Sequence, residues 1–375
     1  MGFPGVKITV TDGNLQQLVD TQDVAAIVAA DTPLAPTTVF TIDDARDKLK
    51  NNPVLLLMAE DYYTEINGKS KLWVFSPGAG KTVKQIAEAT DNTGLRYLMR
   101  SAGYEITLMG LATKDAGVEV GKVVSQETKD AIGATTKNFG EAMLSNNTPV
   151  RMLVGATVAM DGGTIEADFK PRESENPYVG VVFGSTANGG CGAVGTALGR
   201  ACKYGAHIKI GSGQNGALSP DKIYFGGQLI DDRVDIEALH DRGVITFHHR
   251  PGSAGYYFGV DYMCTAGDYR YLAHGRVVDK AVRIVAAAAT PYIEDTVLIN
   301  DDGSINELSA ANMETVFTNA VKKSMSGQIS GVQVIIDTDQ DVINTSTFAS
   351  RLRILPLGYS TWIEVTIGLT TSLNN

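Results

Sequence analysis

Residues 78–82 have the composition of a loop that binds phosphate. Two glycines precede Lys81 and Thr82, between a predicted strand and a predicted helix, which is the context in which such a loop holds a nucleotide. The full pattern needs another glycine five positions before Gly80, where this chain has Phe75. Without that glycine the backbone N–H groups do not curl around an anion. The favoured interpretation is a tight strand-to-helix turn, with nucleotide binding as the alternative.

A second glycine pattern lies at Gly190, Gly192 and Gly195. Their spacing is that of the dinucleotide-binding fingerprint G-x-G-x-x-G, and they fall between a predicted strand and a predicted helix. That fingerprint also uses an acidic side chain about twenty residues later to bind the ribose. Residues 207–216 contain none. Close packing of a helix on a sheet is therefore favoured over a dinucleotide site.

Three aspartates, Asp337, Asp339 and Asp341, have the spacing of the first ligands of a calcium loop. The remainder of that loop is missing, because Val342 replaces its required glycine and Phe348 replaces the glutamate that closes the coordination shell. A solvated acidic turn is the predicted structure.

The histidines and cysteines do not form a recognisable reactive site. His248 and His249 are adjacent and would point to opposite faces of a strand, so they would not share a metal ion. Cys191, Cys202 and Cys264 lack the spacing of a zinc site or a disulfide framework, and no G-x-S-x-G motif is present. We therefore predict no catalytic residue, no metal and no cofactor, and expect the chain not to be an enzyme.

Alternating strand and helix patterns predict an α/β (α+β) fold of mixed sheets flanked by helices. The predicted strands are 24–29, 72–75, 105–111, 150–156, 179–183, 207–210, 223–225, 244–248 and 332–337, and the predicted helices are 42–50, 83–89, 126–144, 192–204, 236–241, 269–289 and 309–325. On the helix 269–289, Arg276, Lys280 and Arg283 form a basic stripe.

The composition is that of an ordinary soluble protein, with 375 residues, of which 43% are hydrophobic and 20% charged. The formal net charge of −10 disfavours nucleic acid as a partner. The longest apolar stretch, residues 281–290, is interrupted by Arg283 and is too short to cross a bilayer. We expect no membrane insertion.

Amphipathic strand patterns stand at both ends of the chain. The apolar positions that share one strand face are Val6, Ile8 and Val10 near the start and Ile363, Val365, Ile367 and Leu369 near the end. Such strands need a sheet edge to pair with, either in their own subunit or in another copy. Pairing with another copy would make the protein an assembly component.

Several segments resemble contractile tail sheath proteins of bacteriophages. They are the sequence Phe-His-His-Arg-Pro-Gly at 247–252, the aromatic and glycine-rich segments 255–259 and 261–263, the long helix 271–289, and Ile354 to Gly358 ahead of the terminal strand. The order of parts from residue 244 to residue 369 is also similar to that family. The resemblance covers about the last 140 residues and, by pattern, the N-terminal strand.

The resemblance implies a structural subunit that polymerises helically around a tail tube and contracts to drive the tube through a target cell envelope. It implies that the two terminal strands are arms exchanged between subunits, and that Arg276, Lys280 and Arg283 face an acidic tube surface. The implied partners are further copies of the chain, the tube protein, and the baseplate and tail terminator proteins. The implied location is a virion tail assembled in the host bacterial cytoplasm.

The corresponding organisation has four parts: an N-terminal arm (1–20), an N-terminal part of the core (21–200), a C-terminal core (201–345) and a C-terminal arm (346–375). Two other functions stay open at this point. One is a nucleotide-binding α/β enzyme that uses one of the two glycine patterns, and the other is a different tail component, such as a tube or baseplate protein. A phage tail and a phage-derived injection device are equally compatible with the sequence.

Overall fold

The computed structural model describes residues 23–112, 122–156, 165–361 and 364. The chain divides into two compact units, Met1–Gly275 and Arg276–Asn375. All seven apolar positions predicted to form the exchanged arms lie outside the described residues: Val6, Ile8, Val10, Ile363, Val365, Ile367 and Leu369.

The first unit is built on a six-stranded mixed sheet. Its strands are β1 (Ala25–Val28), β2 (Leu34–Val39), β3 (Leu72–Ser76), β4 (Leu108–Ala112), β5 (Arg151–Ala156) and β6 (Val179–Phe183), in the order β2-β3-β1-β4-β5-β6. β2 is antiparallel to β3, and the other neighbours are parallel. The parallel strands are almost completely buried, which is why they are continuous apolar runs in the sequence. The predicted mixed α/β architecture is confirmed.

Helices connect and cover these strands. They are α1 (Ile42–Lys48), α2 (Pro53–Ile66), α3 (Val83–Glu88), α4 (Leu95–Ser101), α5 (Gln126–Ala131), α6 (Ala134–Ser145), α7 (Val194–Lys203) and α8 (Ile236–Asp241). The Thr41 hydroxyl accepts a hydrogen bond from the Asp44 N–H and so caps α1, as the sequence indicates. The sequence patterns did not predict β2, α2 or α4.

Two sequence predictions in this unit are wrong. Residues 126–144 form two helices, because Gly133 is extended and the buried Asn176 amide donates to the carbonyl oxygens of Ile132 and Gly133, which ends α5 there. The segment 207–210 is not a strand. Its backbone is bent by local bonds from the Ile208 and Ser212 N–H groups to carbonyls three residues earlier.

Two short hairpins complete the first unit. β7 (Tyr224–Phe225) pairs with β8 (Gln228–Leu229), and β9 (Phe247–His249) pairs with β10 (Tyr256–Phe258), both antiparallel. Gly252 and Gly255, in the turn between β9 and β10, have positive φ angles, which glycine adopts without steric cost.

The second unit contains most of α9 (Leu272–Ala289), followed by α10 (Glu307–Ser324), β11 (Ile329–Ile335), α11 (Val342–Thr345) and β12 (Arg351–Pro356). β11 and β12 form a two-stranded antiparallel sheet. Its inner face joins a small apolar core with α10 that includes Phe317, Val334 and Leu352. β12 falls within the predicted C-terminal arm, yet it pairs with a strand of its own chain.

Candidate assembly surfaces and the residues that support them

The loop at residues 78–82 is a strand-to-helix turn. Thr82 and Gln85 cap α3 reciprocally, each side chain accepting the other's backbone N–H. The next N–H, that of Val83, points at the carboxylate of Glu127 at 3.4 Å. A carboxylate at this end of the helix repels a phosphate, so the loop does not favour nucleotide binding.

The second glycine pattern is explained by close packing, in agreement with the favoured interpretation. A Cβ atom on Gly192 would lie 2.0 Å from the carbonyl oxygen of Val182 at the end of β6. A Cβ atom on Gly195 would lie 2.0 Å from the Met58 carbonyl oxygen of α2. A Cβ atom on Gly199, one turn later, would lie 2.7 Å from the carbonyl oxygen of Tyr62. The glycines therefore bring α7 against the sheet and against α2, and backbone atoms fill the space that a dinucleotide would need.

A buried ion pair joins these same two helices. Arg200 of α7 and Glu65 of α2 are 2.9 Å apart, and their side chains are 3% and 1% exposed. Arg200 also donates to the carbonyl oxygens of Asn215 and Gly216, while Glu65 accepts hydrogen bonds from the backbone and hydroxyl of Ser219. The pair therefore fixes the loop that follows α7 as well as the two helices. The sequence does not reveal this pair, because the two residues are far apart along the chain.

Asp61, one turn before Glu65, contributes a second carboxylate to this contact. The Thr186 hydroxyl donates one hydrogen bond shared by the two oxygens of this carboxylate, at 2.8 and 2.9 Å. Burial raises the pKa of Asp61 to about 7, and the nearby Glu60 charge adds to the increase.

This raised pKa predicts a stability that falls as the pH rises. Between about pH 4 and 7 the folded chain holds a proton on Asp61 that the unfolded chain has released, so stability is lost as the pH rises through this interval. Because Asp61 keeps some solvent contact, we expect a loss of about 1–2 kcal/mol. Urea unfolding at several pH values should show this loss in the natural chain and less of it in Asp61→Asn. An equal pH dependence in the two proteins would contradict the assignment.

The Phe-His-His-Arg-Pro-Gly segment has a structural role. His249 contacts the Asp231 carboxylate at 2.7 Å and the Gly255 carbonyl oxygen at 2.9 Å. Arg250 stacks on Tyr257 and donates to the Gly211 carbonyl. His248 is half-buried, and burial lowers its pKa. The segment thus fastens the β9–β10 hairpin to two neighbouring loops.

The beginning of α9 is fixed by a buried aspartate. Asp261 is 1% exposed, and its carboxylate accepts the Ala273 N–H at 3.1 Å, while its carbonyl accepts the Leu272 N–H. The Lys209 ammonium lies 3.7 Å from this carboxylate and 3.5 Å from the centre of the Tyr271 ring. A negative charge is favourable at a helix N-terminus, so these contacts set where the helix starts.

The three basic residues predicted to face the tube lie on this helix in different environments. Arg276 is 3% exposed. Lys280 and Arg283 are partly exposed, and the Lys280 ammonium donates to the Gln328 amide oxygen at 3.1 Å. Lys280 and Arg283 are therefore the members of the set with solvent-accessible surface.

The predicted acidic turn lies between β11 and α11. The Asp341 carboxylate accepts the Asn344 N–H and side-chain amide, at 3.0 and 2.7 Å, and these bonds lower its pKa. Asp337 accepts the N–H of Asp339 at 3.1 Å. The turn is thus held by its own hydrogen bonds. Within the described parts of the chain there is no group of three or more His, Cys, Asp or Glu side chains placed to hold a metal, and no helix suited to crossing a membrane.

One family model and several solved structures are similar to this chain. Residues 268–374 match the family described as DUF2586, C-terminal domain. A chain of the baseplate of the anti-feeding prophage (AFP) superposes with a TM-score of 0.63 at 14% identity, covering 99% of this chain and 100% of that one. The AFP helical sheath in its contracted state gives 0.60 at 15% identity, covering 99% and 100%. The chain has the contractile-sheath fold.

A further sheath-fold structure comes from a different assembly. The contracted PVC sheath complex, from an extracellular contractile injection system, superposes with a TM-score of 0.57 at 12% identity, covering 99% of this chain and 98% of that one. No protein of curated function matches the chain. The resemblance to tail sheath proteins is thereby confirmed at the level of the fold, and it extends over the whole chain.

Proposed function

We propose that this chain is the structural subunit of a contractile sheath, which polymerises helically around a tube and contracts to drive the tube through a cell envelope. The supporting observation is the sheath fold over essentially the full length of both chains, including two chains from contracted sheaths. The AFP baseplate chain has the same fold, so a baseplate subunit is the second candidate. Sheath, tube, baseplate and terminator proteins are the partners that this function requires.

Strand exchange is the part of the proposal that explains the termini. The β11–β12 sheet has only two strands within the described residues. A two-stranded sheet is marginally stable in water, and its open edges can accept further strands. We place the predicted arms there: Val6 to Val10 from one neighbouring copy and Ile363 to Leu369 from another. Alternating apolar residues on both arms suit a sheet that is buried on one face.

In the assembled sheath, α9 would face the tube. Its basic residues would contact an acidic tube surface. Lys280 and Arg283 are the partly exposed ones, so substitutions of these two residues test the contact. In the assembled form, the subunits would lie in a phage tail or in the tail of an injection device, after assembly in the bacterial cytoplasm.

Reversing the charge of Lys280 and Arg283 should impair assembly on tube. We expect Lys280→Glu/Arg283→Glu to lower the amount of sheath that loads on purified tube by about tenfold or more, because two attractive contacts become repulsive. Co-sedimentation with tube measures the loading. The matched control is Lys322→Glu/Lys323→Glu on the exposed end of α10, with the same change of charge. If both double variants load like the natural chain, α9 does not face the tube.

A further inference from the structure

The outer face of the β11–β12 sheet is basic and is exposed within the described part of the chain. The register places Arg351 opposite Ile335, Arg353 opposite Gln333 and Leu355 opposite Gly331. Opposite residues of an antiparallel pair share a face, so these six side-chain positions lie on one side of the sheet. We call Arg351, Arg353, Leu355 and Gln333 the basic strand face.

The basic strand face has the composition of a protein interface. Both arginines and Gln333 are exposed, and Leu355 is 63% exposed. Neither arginine forms an ion pair with any residue in the described part of the chain. Arginine beside an exposed apolar side chain is typical of residues that dominate binding, whereas the inner face of the same sheet is already covered by α10.

The first unit carries a surface with the opposite charge and an apolar centre. We call residues 230–237, which include the first two residues of α8, the Val234 loop. Val234 is 99% exposed, and Asp231, Asp232 and Glu237 are exposed as well. Arg233 does not neutralise them, because its side chain is 6% exposed and pairs with Asp235. The Val234 loop therefore presents carboxylates around one protruding valine.

The basic strand face and the Val234 loop have opposite charges, whereas two copies of the same surface have like charges. Arginine against arginine, or carboxylate against carboxylate, would repel, so a contact between two identical surfaces is disfavoured. A contact between different surfaces of two copies is heterologous, and heterologous contacts build rings or helical polymers. Val234 can pack on Leu355 while the carboxylates meet Arg351 and Arg353.

From this complementarity we propose that the Val234 loop of one copy docks on the basic strand face of a second copy. The inference rests on the proposed self-assembly, to which it adds a specific contact between subunits. It is separate from strand exchange, because it uses the face of the β11–β12 sheet and strand exchange uses its edges.

Charge exchange tests this contact. In purified full-length protein, Arg351→Glu/Arg353→Glu should raise the concentration needed for polymerisation by about tenfold or more, and so should Asp232→Arg/Glu237→Arg. Asp231 is kept because it bonds His249 and Tyr256. The quadruple variant restores opposite charges and should polymerise close to the natural concentration.

Val234→Asp should weaken assembly in a protein that melts normally. Pelleting and negative-stain electron microscopy measure polymerisation, and Lys322→Glu/Lys323→Glu is the control.

Each alternative result overturns the inference in a distinguishable way. If the natural chain polymerises and neither double variant alters its threshold, the contact does not exist and the sheath function stands. If both double variants weaken assembly and the quadruple variant does not restore it, each surface contacts a different part of a neighbouring copy and the two do not bind each other. If Arg351→Glu/Arg353→Glu impairs only loading on tube, the basic strand face contacts the tube. If the natural chain never polymerises, both the proposed function and this contact are excluded.

Discussion

Glu65→Ala is expected to destabilise the first unit by about 3–5 kcal/mol. The substitution leaves the Arg200 guanidinium buried at 3% side-chain exposure without its carboxylate, and it removes the acceptor of two hydrogen bonds from Ser219. An uncompensated buried charge loses its hydration without recovering an equal attraction, which is why removing one partner costs more than the pair itself contributes. Urea unfolding followed by circular dichroism measures the change.

The same helix supplies a matched control for Glu65. Glu60 pairs with Arg46 at 2.6 Å, but both side chains are substantially exposed, so Glu60→Ala should change the free energy of unfolding by no more than about 1 kcal/mol. Replacing both buried partners, as in Glu65→Leu/Arg200→Met, should recover part of the loss because no unpaired charge remains. Equal effects of Glu65→Ala and Glu60→Ala would show that the buried pair does not hold α2, α7 and the following loop together.

Gly195→Val is expected to separate α7 from α2. Even the first added carbon would lie 2.0 Å from the Met58 carbonyl oxygen and 2.8 Å from the Cβ of Asp61. The nearest atom belongs to a helix backbone and cannot turn aside, so the helices must move apart and expose apolar surface. We expect a loss of about 3 kcal/mol, at the upper end of what overpacking usually costs, and a lower melting temperature.

Gly267 provides the comparison for this substitution. The nearest atom to a Cβ added there is the Thr265 hydroxyl at 3.6 Å, which is an ordinary contact distance. Gly267→Ala should therefore leave the melting temperature nearly unchanged. If Gly195→Val were equally harmless, the close packing would not be the reason for the glycine pattern, and a ligand-binding role for Gly190 to Gly195 would deserve renewed testing.

The parts of the fold that the sequence predicted are those with local signals. The buried strands β1 and β6 are continuous apolar runs, β3 and β5 are apolar apart from Ser76 and Arg151 at their ends, and Thr41 marks the start of α1. β2 was not predicted, because it is a half-exposed edge strand and Pro36 interrupts its sequence pattern. α2 begins at Pro53 after Asn52, which is a usual helix-start pattern, so this helix was missed although its start was readable in the sequence.

The features that the sequence did not predict depend on contacts between distant residues. Nothing near Glu65 or Arg200 in the sequence indicates that they pair, because the sheet and the glycines of α7 bring them together. The basic stripe on α9 was readable as a helical pattern, but the burial of Arg276 was not, since periodicity does not reveal what surrounds a helix. Likewise, the exposure of Val234 and of the basic strand face is a property of the folded chain.

The most direct test of the sheath function is negative-stain electron microscopy of the purified full-length chain beside a variant that lacks Thr361 to Asn375. We predict long hollow cylinders from the full-length chain. The truncated chain should stay dispersed and melt like a folded protein, because it keeps β11 and β12 but loses the strand that would pair with a neighbour. Monodisperse protein in both samples at high concentration would contradict the sheath function. Cylinders in both samples would support the sheath and exclude the C-terminal arm as its connection.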